Sequence, residues 1–196
     1  MIKRLFDFFS SLIGLIILSP LMFIISIVIK LDSNGPIFFK QQRVGKDGKL
    51  FTMIKFRSMS LEQDNKSTVS VKGDLRITQS GIFLRKFKLD ELPELLNVLL
   101  GQMSLVGPRP DVKGFADELK SEDRLILNLR PGITGPASLK YANEEELLSH
   151  QSNPEKYNKE VIFPDKVRIN LDYYYKQNLI LDLKIIFATI FRTNYK

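Results

Sequence analysis

The sequence contains no cysteine, which excludes disulfides and thiolate-bound metal sites. Histidine is nearly absent. The single one, His150, follows Leu147-Leu-Ser149 in what reads as an exposed helix end, so any Ser-His-Asp arrangement would depend on that side chain. Carboxylates, Lys, Arg and Tyr are left to carry any chemistry. Negative charge is also in deficit: 29 Lys and Arg against 22 Asp and Glu give a net charge of +7. A basic chain suits an anionic partner, whether nucleic acid, a phosphorylated small molecule or an acidic membrane surface. There is no internal repeat and no low-complexity tract. The 196 residues are enough for one domain with attachments and a core of its own.

Apolar sequence is abundant at the N-terminus. Over residues 8–29 only Ser10, Ser11, Gly14, Ser19, Pro20 and Ser26 interrupt the large apolar side chains. One helix at about 1.5 Å per residue would just span a hydrocarbon core of about 30 Å. A cleaved signal peptide is disfavoured, because the run is long and no small-x-small site closes it. Pro20 sits mid-run, where it removes a backbone hydrogen bond, and Ser19 can bond back to the backbone and deepen a bend. Lys3 and Arg4 flank one end; Lys30, Lys40, Arg43, Lys46 and Lys49 follow the other. Positive residues on both sides place both ends on the cytoplasmic face. The expectation is a helix-break-helix that enters one leaflet and returns, preferred over a span or a buried core helix.

The chain is organised around residues 88–101. Leu92, Leu95, Leu96, Leu99 and Leu100 recur with the spacing of a helix that buries one face. Pro93 fits its first turn and Gly101 its C-terminal stop. Asp90 and Glu91 then lie at the helix N-terminus. They can be plain caps that complement the dipole. They can also be carboxylates kept ionised there, able to hold a divalent metal or attack an electrophile.

The flanking segments are basic and rich in turn residues. Asp47-Gly48 between two apolar runs predicts a short β-hairpin, with Lys55 and Arg57 two residues apart on one face of its second strand. Residues 60–73 read as a polar loop, and residues 82–87 as a short helix that brings Arg85 within about a turn of the acidic pair. Arg109 stands between Pro108 and Pro110, which either makes a rigid turn or pre-positions a guanidinium for phosphate oxygens. Arg130-Pro-Gly-Ile-Thr-Gly-Pro136 is a second rigid, Gly-rich loop that can offer N–H groups to anions. Residues 117–129 read as a surface helix, and Glu144-Glu-Glu146 as a solvated helix face. The apolar stretch 179–191, after Tyr173-Tyr-Tyr175, suits either a membrane interface or ordinary core packing.

Together these strings resemble the bacterial sugar transferases, the small monotopic phosphoglycosyl transferases that begin glycan assembly on a polyprenyl phosphate. The resemblance runs through Lys3-Arg4 with Phe6-Asp7, Ser19-Pro20, Lys55-Phe-Arg-Ser-Met59, Arg85, Leu89-Asp-Glu-Leu-Pro93, Met103-Ser-Leu-Val-Gly-Pro-Arg-Pro110, Arg130-Pro-Gly-Ile-Thr-Gly135 and Leu181-Asp-Leu-Lys184. It covers nearly the whole chain. Residues 136–145 depart from the form many members carry, so sugar identity stays open, with a UDP-linked N-acetylated amino sugar as the first expectation.

The resemblance implies an α+β, mainly helical fold. Residues 1–32 would form the re-entrant membrane hairpin. Residues 33–196 would form a compact cytosolic catalytic domain, with amphipathic interfacial helices, lying on the cytoplasmic face of the inner membrane. Asp90 would be the nucleophile on a UDP-sugar, Glu91 would join Asp90 in holding Mg²⁺, and polyprenyl phosphate would be the acceptor. Lys55, Arg57, Arg85, Arg109 and Arg130 would bind the substrate phosphates. A homodimer is admitted; nucleic acid is not an expected partner. A metal-dependent phosphohydrolase and a basic membrane-bound scaffold are the competing readings; the scaffold leaves Asp90, Glu91 and Arg109 without a task.

Overall fold

The computed structural model describes residues 2–60 and 76–193, so the expected loop over 60–73 lies outside the described residues apart from Ser60. The first element, α1 (Ile2–Asp32), is one uninterrupted helix, long and apolar enough to cross a membrane. The expected break at Ser19-Pro20 is not an interruption of helical structure. Pro20 has no N–H for the carbonyl four residues back, that of Ile16, and the Ser19 hydroxyl donates to this same carbonyl at 2.8 Å. The acceptor orphaned by proline is thereby satisfied within the helix.

One stripe of α1 faces the rest of the protein. Asp7, Ser11, Ile25 and Ile29 are buried, and Gly14 lies against Leu95. The remaining faces leave Ile13, Ile16, Ile17, Phe23, Ile24 and Leu31 exposed. Both ends are tied to the same body. At the N-terminal end Asp7 accepts hydrogen bonds from Ser104 Oγ (2.8 Å) and Leu105 N (3.0 Å). There too, Lys3 Nζ meets Asp182 Oδ2 at 2.6 Å. At the far end Asp32 accepts from Ser80 N (3.0 Å) and Ser80 Oγ (2.7 Å).

The predicted hairpin is present. Strands β1 (Phe38–Val44) and β2 (Leu50–Phe56) pair antiparallel from Phe38 opposite Phe56 to Val44 opposite Leu50. Asp47 and Gly48 take the left-handed conformations the tight connection requires, with φ of 58° and 75°. Alternation along β2 sends Phe51 and Met53 inward and puts Lys55 on that same face. Then come α2 (Gln79–Lys86), capped by the Thr78 hydroxyl on Gly81 N, and α3 (Glu94–Leu99).

Helix α3 corrects the leucine reading. Its most buried residues are Glu94, Asn97 and Val98, whereas Leu100 is exposed. The helix lies between α1 and β2: Leu95 meets α1, and the polar face turns toward β2. Asn97, fully buried, joins the two elements. Its Nδ2 donates to Thr52 O and Gln102 Oε1, both at 2.7 Å, and its Oδ1 accepts from Ile54 N at 3.1 Å.

The two glycine-rich segments form one structure. Strand β3 (Ser104–Val106) pairs in parallel with β4 (Gly132–Thr134), so the second segment is partly a strand rather than the loop expected. Gly107 N donates to Thr134 O at 2.9 Å and Gly132 N to Pro108 O at 2.8 Å. A β-carbon on Gly132 would fall 2.1 Å from Gly107 N. Residues 117–129, expected as a surface helix, form 3₁₀ turns over Ala116–Glu118 and Ser121–Asn128, with Ile126 and Leu127 in the core.

The C-terminal third is helical: α4 (Pro136–Lys140), α5 (Glu144–Ser149), α6 (Pro154–Tyr157), a π turn, α7 (Phe163–Lys176) and α8 (Leu179–Phe191). His150 caps the end of α5 and is exposed, as expected. Helix α8 buries Asp182, Ile185 and Ala188 and exposes Ile180, Leu183, Phe187 and Ile190, so core packing and an open apolar face coexist on it. The architecture is a mainly helical α+β domain with a small antiparallel hairpin and one long apolar helix.

Candidate active site

Asp90 and Glu91 lie in a 3₁₀ turn, Leu89–Glu91, just ahead of α3. Lys88 adopts a left-handed conformation (φ 57°) that turns the chain out of α2. Leu89 and Leu92 pack against the buried cluster of Ile25, Ile29, Phe56 and Leu84. The acidic pair is thus fixed between two apolar anchors, with exposures of 7% and 8%.

The two carboxylates have different surroundings. Glu91 Oε1 accepts from Arg109 Nη2 at 2.6 Å and from Lys55 Nζ at 2.9 Å. Burial works to raise its pKa, but the Arg109 and Lys55 charges outweigh it and hold Glu91 well below the usual carboxylate range. Glu91 in turn raises the pKa of Arg109. Asp90 has no such partner: its Oδ1 is buried and accepts no hydrogen bond from any described residue. Burial first, and the neighbouring Glu91 second, push its pKa up, opposed by Lys55, Arg85 and Lys88.

Lys55 Nζ also reaches Glu94 Oε1 at 3.1 Å. Glu94 is only 2% exposed, and burial raises its pKa against the pull of Lys55. Neither Glu94 nor Asn97 was among the sequence candidates. Their signal was polar residues three and six positions after Glu91, on one helical face, which the louder leucine pattern masked.

The five basic candidates divide. Lys55 and Arg109 hold Glu91, and Arg85 lies in electrostatic reach of Asp90 while its guanidinium pairs with Glu145 on α5. Arg57 is 3% exposed and donates to the carbonyls of Ser33 and Asn34, just past the end of α1. Arg130 Nε donates to Gly101 O at 2.9 Å, at the C-terminal end of α3. Of these two, only Arg57 lines the cleft that holds the acidic pair. Glu144-Glu-Glu146 is not a solvated face throughout, because Glu144 pairs with Lys166 and Glu145 with Arg85.

Asp90 and Glu91 offer hard oxygen donors that suit Mg²⁺, which binds through one or two carboxylates and completes its shell with water or substrate phosphate. Asp90 Oδ1, buried and unpartnered, fits such a cation. Among the described residues no group of three or more His, Cys, Asp or Glu side chains converges as a complete protein cage.

The Bacterial sugar transferase family model matches residues 1–195. The exopolysaccharide production protein PSS of Rhizobium leguminosarum bv. phaseoli is 41% identical over 96% of this chain and 93% of its own length. The UDP-glucose:undecaprenyl-phosphate glucose-1-phosphate transferase of Klebsiella pneumoniae is 40% identical over 97% of this chain, but the match covers 39% of that protein. The UDP-N-acetylgalactosamine-undecaprenyl-phosphate N-acetylgalactosaminephosphotransferase of Aeromonas hydrophila is 36% identical over 96% of this chain and 43% of its own length. This chain therefore spans less than half of the latter two and nearly all of the first. On the match over residues 1–195, the chain belongs to the bacterial sugar transferase family.

Proposed function

We propose that the chain transfers a sugar-1-phosphate from a UDP-sugar to polyprenyl phosphate at a membrane face, with Asp90 as the nucleophile. The observation that carries this reading is the contrast within the acidic pair. Glu91 is engaged by two cations, while Asp90 presents a buried, unpartnered carboxylate oxygen to a cleft lined by Lys55, Arg85, Lys88 and Arg109.

In the first step an Asp90 oxygen attacks the β-phosphorus. The bond from that phosphorus to the bridging oxygen breaks, and UMP leaves with the bridging oxygen and its electron pair. The sugar phosphate remains joined to the Asp90 oxygen as an acyl phosphate. In the second step an oxygen of polyprenyl phosphate attacks the same phosphorus, and the Asp90 carboxylate leaves. Dividing the exchange gives two displacements, each with a good leaving group. Arg109 and Arg85 bind and orient the diphosphate, and Lys55 fixes Glu91 and Glu94 beside it. Mg²⁺, held by Asp90 and Glu91, would supply neutralisation of the diphosphate charge.

Membrane seating follows from the exposed apolar faces of α1 and α8. Both ends of α1 are tied to one catalytic body, which favours a re-entrant, monotopic arrangement on the cytoplasmic side over a span. The test is UMP release from a panel of UDP-sugars with Mg²⁺ and polyprenyl phosphate. The native chain should release UMP with at least one donor, and Asp90→Asn should lower that rate at least about a thousandfold. Near-native turnover by Asp90→Asn would overturn the assignment and leave Asp90 as a helix cap.

A further inference from the structure

Beyond the acidic pair, the same cleft continues into a second group of charged side chains that the proposed chemistry does not use. Arg43, at the end of β1, donates from Nη1 to Pro110 O at 3.3 Å and from Nη2 to Gln41 Oε1 at 2.7 Å. Its Nε is buried and donates to none of the described residues. Asp111 lies two residues past Arg109, within electrostatic reach of Lys166, Arg43 and Glu144. Lys166 of α7 donates to both carboxylate oxygens of Glu144 at 2.7 Å. One turn further along α7, Asn170 is 6% exposed, and its Oδ1 is buried without a hydrogen-bond partner among the described residues. All five residues line the cleft.

This group joins the reacting centre from two directions. Pro110 and Asp111 continue directly from Arg109. On the other side, Glu144 and Glu145 open α5, with Glu144 held by Lys166 and Glu145 held by Arg85. A donor whose diphosphate sits on Arg109 and Arg85 would extend one of its two ends here.

We propose that Arg43, Asp111, Glu144, Lys166 and Asn170 form the subsite that recognises the hydroxyl-bearing hexose of the donor and sets sugar selectivity. The proposal rests on the transferase reading above and assigns one part of the substrate within it.

The chemistry favours a hexose over the other candidates. Each sugar hydroxyl both donates and accepts a hydrogen bond. The subsite offers matching groups: a donor at Arg43 Nε and an acceptor at Asn170 Oδ1 that no described residue engages, and the paired Glu144 carboxylate and Lys166 ammonium with Asp111 nearby. Charged groups in such pairs make the stronger hydrogen bonds to neutral partners. The uridine end presents fewer such groups, its ribose hydroxyls and one uracil N–H, and the rest of the ring is flat and uncharged. A lipid phosphate gains no net attraction here, because Asp111 and Glu144 offset Arg43 and Lys166. Burial pushes the Asp111 pKa up to about 6 despite Lys166 and Arg43.

The experiment uses the full chain in detergent or nanodiscs and four donors: UDP-glucose, UDP-galactose and their N-acetylamino counterparts. It reads kcat/KM from UMP release and the inhibition constant of UMP, which lacks the sugar. Asp111→Asn and Asn170→Leu should lower kcat/KM for the preferred donor about tenfold or more and the others less, so discrimination shrinks. The UMP constant should stay within about twofold. Equal loss on all donors, or a parallel rise in the UMP constant, would overturn the proposal and make the cluster structural or nucleoside-binding. If either variant melts early, Glu144→Gln on the partly exposed helix start is read in its place against the same outcomes. A native chain that releases UMP while the variants keep its selectivity refutes the subsite alone. A native chain with no UMP release and no donor-induced rise in Tm refutes the transferase reading as well.

Discussion

Glu91 holds two cations, and Asp90, its neighbour in the chain, presents an oxygen that accepts no hydrogen bond from the described residues. Glu91 is reached by Lys55 from β2 and by Arg109, and both carboxylates border the same cleft. That Asp90, Glu91, Lys55 and Arg109 come together was legible in sequence because unusual strings surround them. Glu94 and Asn97 were not, because amphipathic reading assigns buried helix positions to leucine. Here α3 is buried on two sides, and its polar side meets the Lys55 ammonium, 3.1 Å from Glu94 Oε1, and β2 backbone groups bonded to Asn97. Asp111 gives a prediction at this scale. Its folded pKa of about 6 lies above the ordinary 3.8. A carboxyl that binds its proton more tightly when folded loses stability as pH rises. The cost is absent below about pH 3.8, grows through about pH 6 and is complete above it. Asp111→Asn removes the titration. Relative to the native chain it should therefore be more favourable at pH 7.5 than at pH 4 by roughly 1–3 kcal/mol in chemical denaturation. Equal relative stability at both pH values would contradict the raised pKa.

At the scale of elements, the paired glycine segments place Arg109. Sequence presented them as two rigid loops, and nothing local announces that one packs on the other, because their contact is backbone on backbone across residues far apart in the chain. Gly132 leaves space for Gly107 N that a methyl group would fill at 2.1 Å. Gly132→Ala should therefore cost about 3 kcal/mol or more, at the upper end of overpacking effects, since the clashing atom is backbone and cannot rotate away. A thermal melt reads this directly; a change under about 0.5 kcal/mol would show that β3 and β4 do not hold each other as described. Residues 117–129 do not propagate an α-helix because Leu119 and Lys120 are extended and Ser121 is left-handed (φ 52°), which leaves only short 3₁₀ turns on either side. The β-hairpin was fully legible, since Asp47-Gly48 demands its turn.

For the whole molecule, α1 is the element that decides topology. Pro20 in sequence argued for a broken helix, but Ser19 supplies the missing hydrogen bond, and helical structure continues through the proline. Contacts outside the run, invisible to hydropathy, are more informative: Asp7 and Lys3 at one end and Asp32 at the other all bind the same body. The absence of cysteine makes a direct test simple. Ile2→Cys and Asn34→Cys, one at each end of α1, should both be labelled by an impermeant maleimide in inverted membrane vesicles and protected in intact spheroplasts. Labelling from opposite sides would establish a span. The measurement that reaches the central claim most directly is the intact mass of the protein after incubation with a reactive UDP-sugar and Mg²⁺, without polyprenyl phosphate. The native chain should gain the mass of one sugar phosphate, located on the peptide holding Asp90, and lose it when polyprenyl phosphate is added. Asp90→Asn should gain nothing. An adduct on a different residue, or full turnover with no adduct in either protein, would contradict a covalent role for Asp90.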